Sequence, residues 1–255
     1  MARAGECPGG NPRILLFTSE SGEDIMKPEA VLFDIDNTLY SYDAAHAVAF
    51  ARLLDYGASR LGLEQQAFRQ LHREAMAQVN AVLGRPCAAM HNRLLRYQRM
   101  LELAGLPLCH TLEMESLYWD TLIEAAQPSP GALPCLQALK AAGYTVGVGT
   151  DMTLDYQLKK LTRMGMLSYI DFVVTSEEVL AEKPEAKLFL RCAEKAGTSP
   201  ERCLFIGDSL SKDVAGAKAV GMEALWFQPD PALAAQQPEI ASIQDFHQLQ
   251  RQLCP

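Results

Sequence analysis

The chain has no CxxC pair, no block of Lys or Arg, no long apolar run and, over residues 39–126, no lysine at all. Each absence removes a class of function. The seven cysteines, Cys7, Cys87, Cys109, Cys135, Cys192, Cys203 and Cys254, are scattered and odd in number. That usage fits reduced thiols in a cytoplasmic protein, and without paired spacing it offers zinc no site. The net charge is −8. Without a basic stripe there is no electrostatic footprint for nucleic acid or acidic lipid. A small anionic substrate stays open, because a metal and one or two lysines can bind it locally. No apolar segment approaches the ~20 residues of a membrane span. The patch around Ile14–Phe17 is too short for a signal-peptide core.

What is present begins at AVLFDIDNTLY, residues 30–40. A short apolar run of strand character ends in two aspartates, Asp34 and Asp36. Carboxylates so close repel each other, and a cation or a reaction explains why they persist. The 255 residues suit one large domain, or a core with an inserted lobe. Residues 1–25 are rich in Gly, Pro, Ser and acid and read as a disordered tail or a start-site extension ahead of Met26.

Beyond Met26 the pattern alternates. Ala30–Ile35 reads as a strand. Residues 44–126 read as four or five helices, with breaks at Gly57, Gly62, Gly84–Pro86 and Gly105–Pro107. Strands then follow at Tyr144–Gly149, Phe172–Thr175, Cys203–Gly207 and, as the last, Ala224–Phe227. Helices at 132–142, 153–164, 185–196 and 211–220 separate them. Strands joined by single helices give parallel βαβ units, an open sheet covered on both faces, with the site beyond the carboxyl ends of the strands. Those exits carry Asp34 and Asp36, then Thr150, then Lys183, then Asp208 with Asp213. Clustered carboxylates suit Mg²⁺. A lysine and a hydroxyl suit phosphoryl oxygens. One carboxylate can attack phosphorus, and another two residues on can move the proton.

Taken together these segments closely resemble the haloacid dehalogenase-like hydrolase superfamily. DIDNT (Asp34–Thr38), VGT (Val148–Thr150), Lys183 before Pro184, and GDSLSKD (Gly207–Asp213) look like its four motifs in order, over roughly residues 28–228. The resemblance implies a Rossmann-like three-layer α/β core at 26–43 and 127–255, with an all-α cap of the first type inserted at 44–126. It implies that Asp34 is nucleophile and Mg²⁺ ligand, and that Asp36 is general acid/base with its main-chain carbonyl on the metal. Thr150 and Lys183 would hold the phosphoryl oxygens, and Asp208 would complete the protein's metal ligands. Asp213 would orient Lys183 or a metal-bound water, and Thr38 would brace the first loop. True dehalogenases lack the second aspartate, so Asp36 favours phosphate chemistry.

Plainer readings stand beside several residues. His46 could assist proton transfer from the cap, or be an ordinary helix histidine. Arg93, Arg96 and Arg99 could grip a substrate carboxylate or second phosphate, or form a solvated face. Tyr40 and Tyr42 could stack on a base or sugar, or be structural. Asp151 has no assigned role. The lysine-free stretch 39–126 disfavours phosphonatases, which need a lid lysine, and weakens a mutase reading. The expectation is a Mg²⁺-dependent phosphatase of a small phosphorylated metabolite of nucleotide, sugar phosphate or phosphoglycolate type. It would act through an aspartyl-phosphate, without nucleic acid or membrane partners, as monomer or homodimer. A phosphomutase and a catalytically silent binding module on the same fold are the alternatives.

Overall fold

The computed structural model describes residues 27–255; the tail expected at 1–25 lies outside them. Six strands, β1 (Ala30–Phe33), β2 (Thr145–Thr150), β3 (Phe172–Thr175), β4 (Cys203–Gly207), β5 (Glu223–Phe227) and β6 (Ser242–Ile243), form one sheet in the order β3-β2-β1-β4-β5-β6. Every pairing is parallel. β1 is central, so its carboxyl end lies between those of β2 and β4.

Four helices separate β1 from the rest of the sheet: α1 (Tyr42–Arg60), α2 (Gln65–Leu83), α3 (Arg93–Ala104) and α4 (His110–Ala125), with a 3₁₀ turn at Ala88–His91. The remaining helices are α5 (Ala132–Ala141), α6 (Leu154–Arg163), α7 (Ser176–Val179), α8 (Ala186–Ala196), α9 (Ala215–Ala219), α10 (Pro231–Ala234) and α11 (Phe246–Leu253).

The period-2 alternation of each strand sorts its side chains into two cores. Val31, Phe33, Val146, Val148, Leu204 and Ile206 join the core under α5 and α11, which continues into the helical insertion. Ala30, Leu32, Val174 and Phe205 face α8 and α9. On that second face β2 presents glycine. A Cβ on Gly149 would come within 3.0 Å of Cys192, Leu188 and Phe205, so its absence lets α8 lie close to the sheet.

Three sequence expectations are corrected. Gly57 does not break a helix, because α1 runs through it. A Cβ there would stand 2.5 Å from the Phe68 ring, so the glycine is a packing notch for α2. The helix expected at 211–220 is a π-turn, Leu210–Val214, followed by the short α9. Ala224–Phe227 is not the last strand. β6 pairs with β5, and α11 packs Phe246 against Phe227 with ring centroids 4.9 Å apart.

Candidate active site

The carboxyl ends of β1, β2 and β4 converge on a cavity of about 370 Å³, with α3 and the 3₁₀ turn of the insertion forming its opposite wall. Asp34 continues the β1 ladder by one bond, its N–H donating to the Ile206 carbonyl at 2.9 Å. The chain then turns tightly, with the Thr38 and Leu39 N–H groups both donating to the Ile35 carbonyl. Asn37 takes the left-handed conformation, φ 63°, that this turn needs. The turn returns Thr38 to the strand end. Its hydroxyl donates to Asp34 Oδ2 at 3.3 Å and accepts the Asp208 N–H at 3.1 Å. Thr38 thus ties the exits of β1 and β4 together.

Lys183 Nζ sits between two carboxylates, 2.5 Å from Asp34 Oδ1 and 2.6 Å from Asp213 Oδ1. All three side chains are buried. Asp213 is fixed in turn by the Ser209 N–H, 2.9 Å from its Oδ2. Although burial opposes its charge, the Asp213 and Asp34 carboxylates hold the Lys183 ammonium well above the usual lysine range. Burial pushes Asp34 up, and the Asp213, Asp208 and Asp36 charges add to this against the pull of Lys183. Burial and the Asp213 charge push Asp208 up to about 6. One oxygen from each of Asp34, Asp208 and Asp213 lies within 4.8 Å of the others. One ammonium among these acids leaves an excess of negative charge on hard oxygen donors, the condition that a divalent cation satisfies.

Asp36 points elsewhere. Its Oδ1 accepts from Tyr40 at 2.5 Å and from Lys160 Nζ at 2.6 Å, and its Oδ2 accepts from Gln157 at 3.1 Å. Gln157 also donates to the Thr150 hydroxyl at 2.7 Å. Burial works against the Asp36 charge, but the Lys160 ammonium and the hydrogen bonds from Lys160, Tyr40 and Gln157 hold its carboxyl below the usual range. Gln157 and Lys160, one turn apart on the inner face of α6, were not foreseen from the sequence. Neither was the hydroxyl role of Tyr40, which is buried and takes up no stacking position.

The structure gives Asp151 a place. Its Oδ1 accepts the Lys183 N–H at 2.9 Å and its Oδ2 pairs with Lys212 at 3.0 Å, which anchors the Lys183 loop to the end of β2. Across the rim, His91 of the insertion meets Glu182 at 2.8 Å. The solvated-face reading of the arginines holds for Arg99 alone, which pairs with Glu102. Arg93 is buried, and with Arg96 it lines the cavity. His46 stands behind the cavity wall, bonded to the Tyr118 hydroxyl at 2.8 Å and stacked on Tyr42. Tyr42 itself lines the cavity.

The geometry has close counterparts. The model of the haloacid dehalogenase-like hydrolases matches residues 28–221. A ribulose-1,5-bisphosphate 5-phosphatase from Halopiger xanaduensis is 35% identical over 78% of this chain and 84% of its own length. A glyceraldehyde 3-phosphate phosphatase from Methanopyrus kandleri is 30% identical over 76% and 81%. The crystal structure of a HAD phosphatase from Thermococcus onnurineus, 30% identical, matches 88% of this chain and 97% of that one with a TM-score of 0.67. With a family model spanning most of its length and relatives at 30% identity or more over about three quarters of it, the chain belongs to the haloacid dehalogenase-like hydrolases and is a phosphoric monoester hydrolase.

Proposed function

We propose that the protein hydrolyses a small phosphomonoester with Mg²⁺ and an aspartyl-phosphate intermediate, under a helical cap formed by residues 44–126. The observation that carries this reading is the buried Asp34–Lys183–Asp213 chain beside Asp208, at the mouth of a cavity of small-molecule size. Two relatives named for a sugar bisphosphate and a triose phosphate support the substrate class.

Asp34, Asp208 and the main-chain carbonyl of Asp36 would hold Mg²⁺, which when bound neutralises charge on the phosphoryl oxygens. Lys183 and the Thr150 hydroxyl orient those oxygens toward Asp34. An Asp34 oxygen attacks phosphorus, the bond from phosphorus to the ester oxygen breaks, and the departing oxygen takes a proton from Asp36. Water then attacks phosphorus and gives its proton to Asp36. The bond from phosphorus to Asp34 breaks and orthophosphate leaves. Asp213 positions Lys183 throughout.

Asp36, held by three donors, is in the carboxylate form that the second step uses. The acid form needed first arises as the doubly negative phosphoryl group enters, because a like charge beside a carboxyl raises its pKa. The insertion excludes water and shapes the leaving-group side. The test is orthophosphate release from a panel of small esters with Mg²⁺ and with EDTA. Release that needs the metal supports the reading. Isomer exchange without release would replace it with a phosphomutase.

A further inference from the structure

Two guanidinium groups on the insertion side of the cavity have no carboxylate to answer them among the described residues. Arg93, 7% exposed, donates from Nη2 to the Tyr42 hydroxyl at 2.9 Å and from Nη1 to the His91 carbonyl at 3.3 Å. Its Cζ lies 5.2 Å from the Tyr118 ring centre and 5.4 Å from that of Trp119. Arg96, one turn on, donates from Nη2 to the Met90 carbonyl, while its buried Nε has no partner. Among the described residues, neither forms an ion pair within 4.0 Å. The other cations of the cavity are neutralised, Lys183 by Asp34 and Asp213 and Lys212 by Asp151.

A buried charge without a counter-charge is costly, and two like charges one helical turn apart add repulsion. Burial and the Arg93 charge push Arg96 down to about 10, still cationic at neutral pH. Such a pair answers to an anion that arrives from outside. The transferred phosphoryl group does not fill that role, since its partners stand on the opposite wall, at Asp34, Thr150 and Lys183. The anion therefore belongs to the leaving group. The planar fork of arginine suits an oxyanion with two acceptor oxygens, which a phosphate and a carboxylate both supply.

We propose that Arg93 and Arg96 form a subsite for a second anionic group, and that the preferred substrate is a phosphomonoester whose alcohol carries a second phosphate or a carboxylate. This rests on the phosphatase reading and deepens it. The test compares kcat/KM with Mg²⁺ for fructose 1,6-bisphosphate against fructose 6-phosphate, for 2-phosphoglycolate, and for p-nitrophenyl phosphate, whose leaving group has no second anion. The wild type is expected to favour a doubly anionic ester by at least about 30-fold, the size of a charge-assisted bidentate contact. In Arg96→Gln that ratio should fall by about 10-fold or more, chiefly through KM, and Arg96→Lys should recover part of it. The bisphosphate and phosphoglycolate arms tell a phosphate anion from a carboxylate. No preference in the wild type, which needs no variant to fold, would overturn the subsite. So would an equal loss on all esters in Arg96→Gln. If no ester at all is hydrolysed, the phosphatase reading fails, and the subsite is decided by thermal shift. A midpoint raised more by fructose 1,6-bisphosphate than by fructose 6-phosphate, in the wild type but not in Arg96→Gln, would uphold it; equal shifts would end it.

Discussion

Lys160 Nζ lies 2.6 Å from Asp36 Oδ1, and the lysine side chain is wholly buried while the aspartate still meets the cavity. The ammonium is also boxed by the Tyr40, Tyr42 and Trp119 rings, 5.5, 5.9 and 5.6 Å away. In the proposed mechanism Lys160 would reach the reaction only through Asp36, which would make it a positioning residue. Lys160→Met removes the cation that favours the Asp36 carboxylate, and the Asp36 pKa should rise. The limb of the pH–rate profile that belongs to Asp36 is expected to move to higher pH by about one unit or more, with kcat down roughly 10–100-fold. A lower melting temperature with an unmoved pH profile would make the lysine purely structural.

Asp34→Asn should remove turnover by at least about 10³-fold, because an amide oxygen is a far weaker nucleophile toward phosphorus. The fold should not suffer. Burial and three neighbouring acids already push the Asp34 carboxyl up, and the amide relieves that crowding while Lys183 keeps Asp213. The expected result is an inactive protein whose melting temperature without metal equals or exceeds that of the wild type. Retained turnover would dismiss the nucleophile assignment.

Mg²⁺ should raise the melting temperature of the wild type, since a ligand that binds only the folded state stabilises it. Asp208→Asn should blunt that rise and weaken metal activation together. An identical Mg²⁺ response in the variant would place the metal elsewhere.

Gly207 ends β4 directly beneath Asp213. A Cβ there would stand 2.3 Å from Asp213 Cγ and 2.4 Å from its Oδ2. Gly207→Ala must therefore move the carboxylate that holds Lys183. Overpacking of this kind costs about 1–3 kcal/mol. Steady-state kinetics should show a loss of about 10-fold or more in kcat, beyond what the stability change explains. Near-normal kcat in a folded variant would mean that Lys183 does not depend on Asp213.

The strand exits were legible because chemistry and fold agree there. Short apolar strands stop at Asp34, Thr150 and Gly207, and polar residues that follow a buried parallel strand have few structural reasons to be where they are. Lys160 and Gln157 were hidden for the opposite reason. On α6, Leu154 and Leu158 suggest the inward face, yet Leu154 is exposed while Gln157 and Lys160 are buried. The helix turns its polar residues inward because Asp36 and Thr150 wait there. Only three-dimensional proximity, across 124 residues for Lys160 and Asp36, reveals that. The arginines divide similarly. Arg93 and Arg96 share a helix face, Arg99 rotates away to Glu102, and nothing in the run HNRLLRYQRM says which face meets the cavity. The C-terminal β6 was missed because two residues of strand give no periodicity to read, whereas α11 carries Phe246, Leu249 and Leu253 at helical spacing and was legible in the sequence.

His72 supplies a pH prediction independent of the active site. Its ring packs against Phe50, with centroids 5.1 Å apart, and burial with the nearby Arg96 and Arg93 charges pushes it down to about 4. In the unfolded chain a histidine titrates near 6.5. The unfolded state therefore binds more protons between those values. Stability should rise with pH across that window, lie flat above about 6.5, and be lost as pH falls toward 4. Between pH 7.5 and pH 5 the contribution amounts to about 2 kcal/mol. Urea unfolding at the two pH values, for wild type and His72→Phe, isolates it, since other titrating groups cancel in the difference. The variant should lose about 2 kcal/mol less on acidification than the wild type. Equal losses would show that His72 accepts its proton in the folded protein as readily as in the unfolded one, and that the arginines do not make this part of the insertion electropositive.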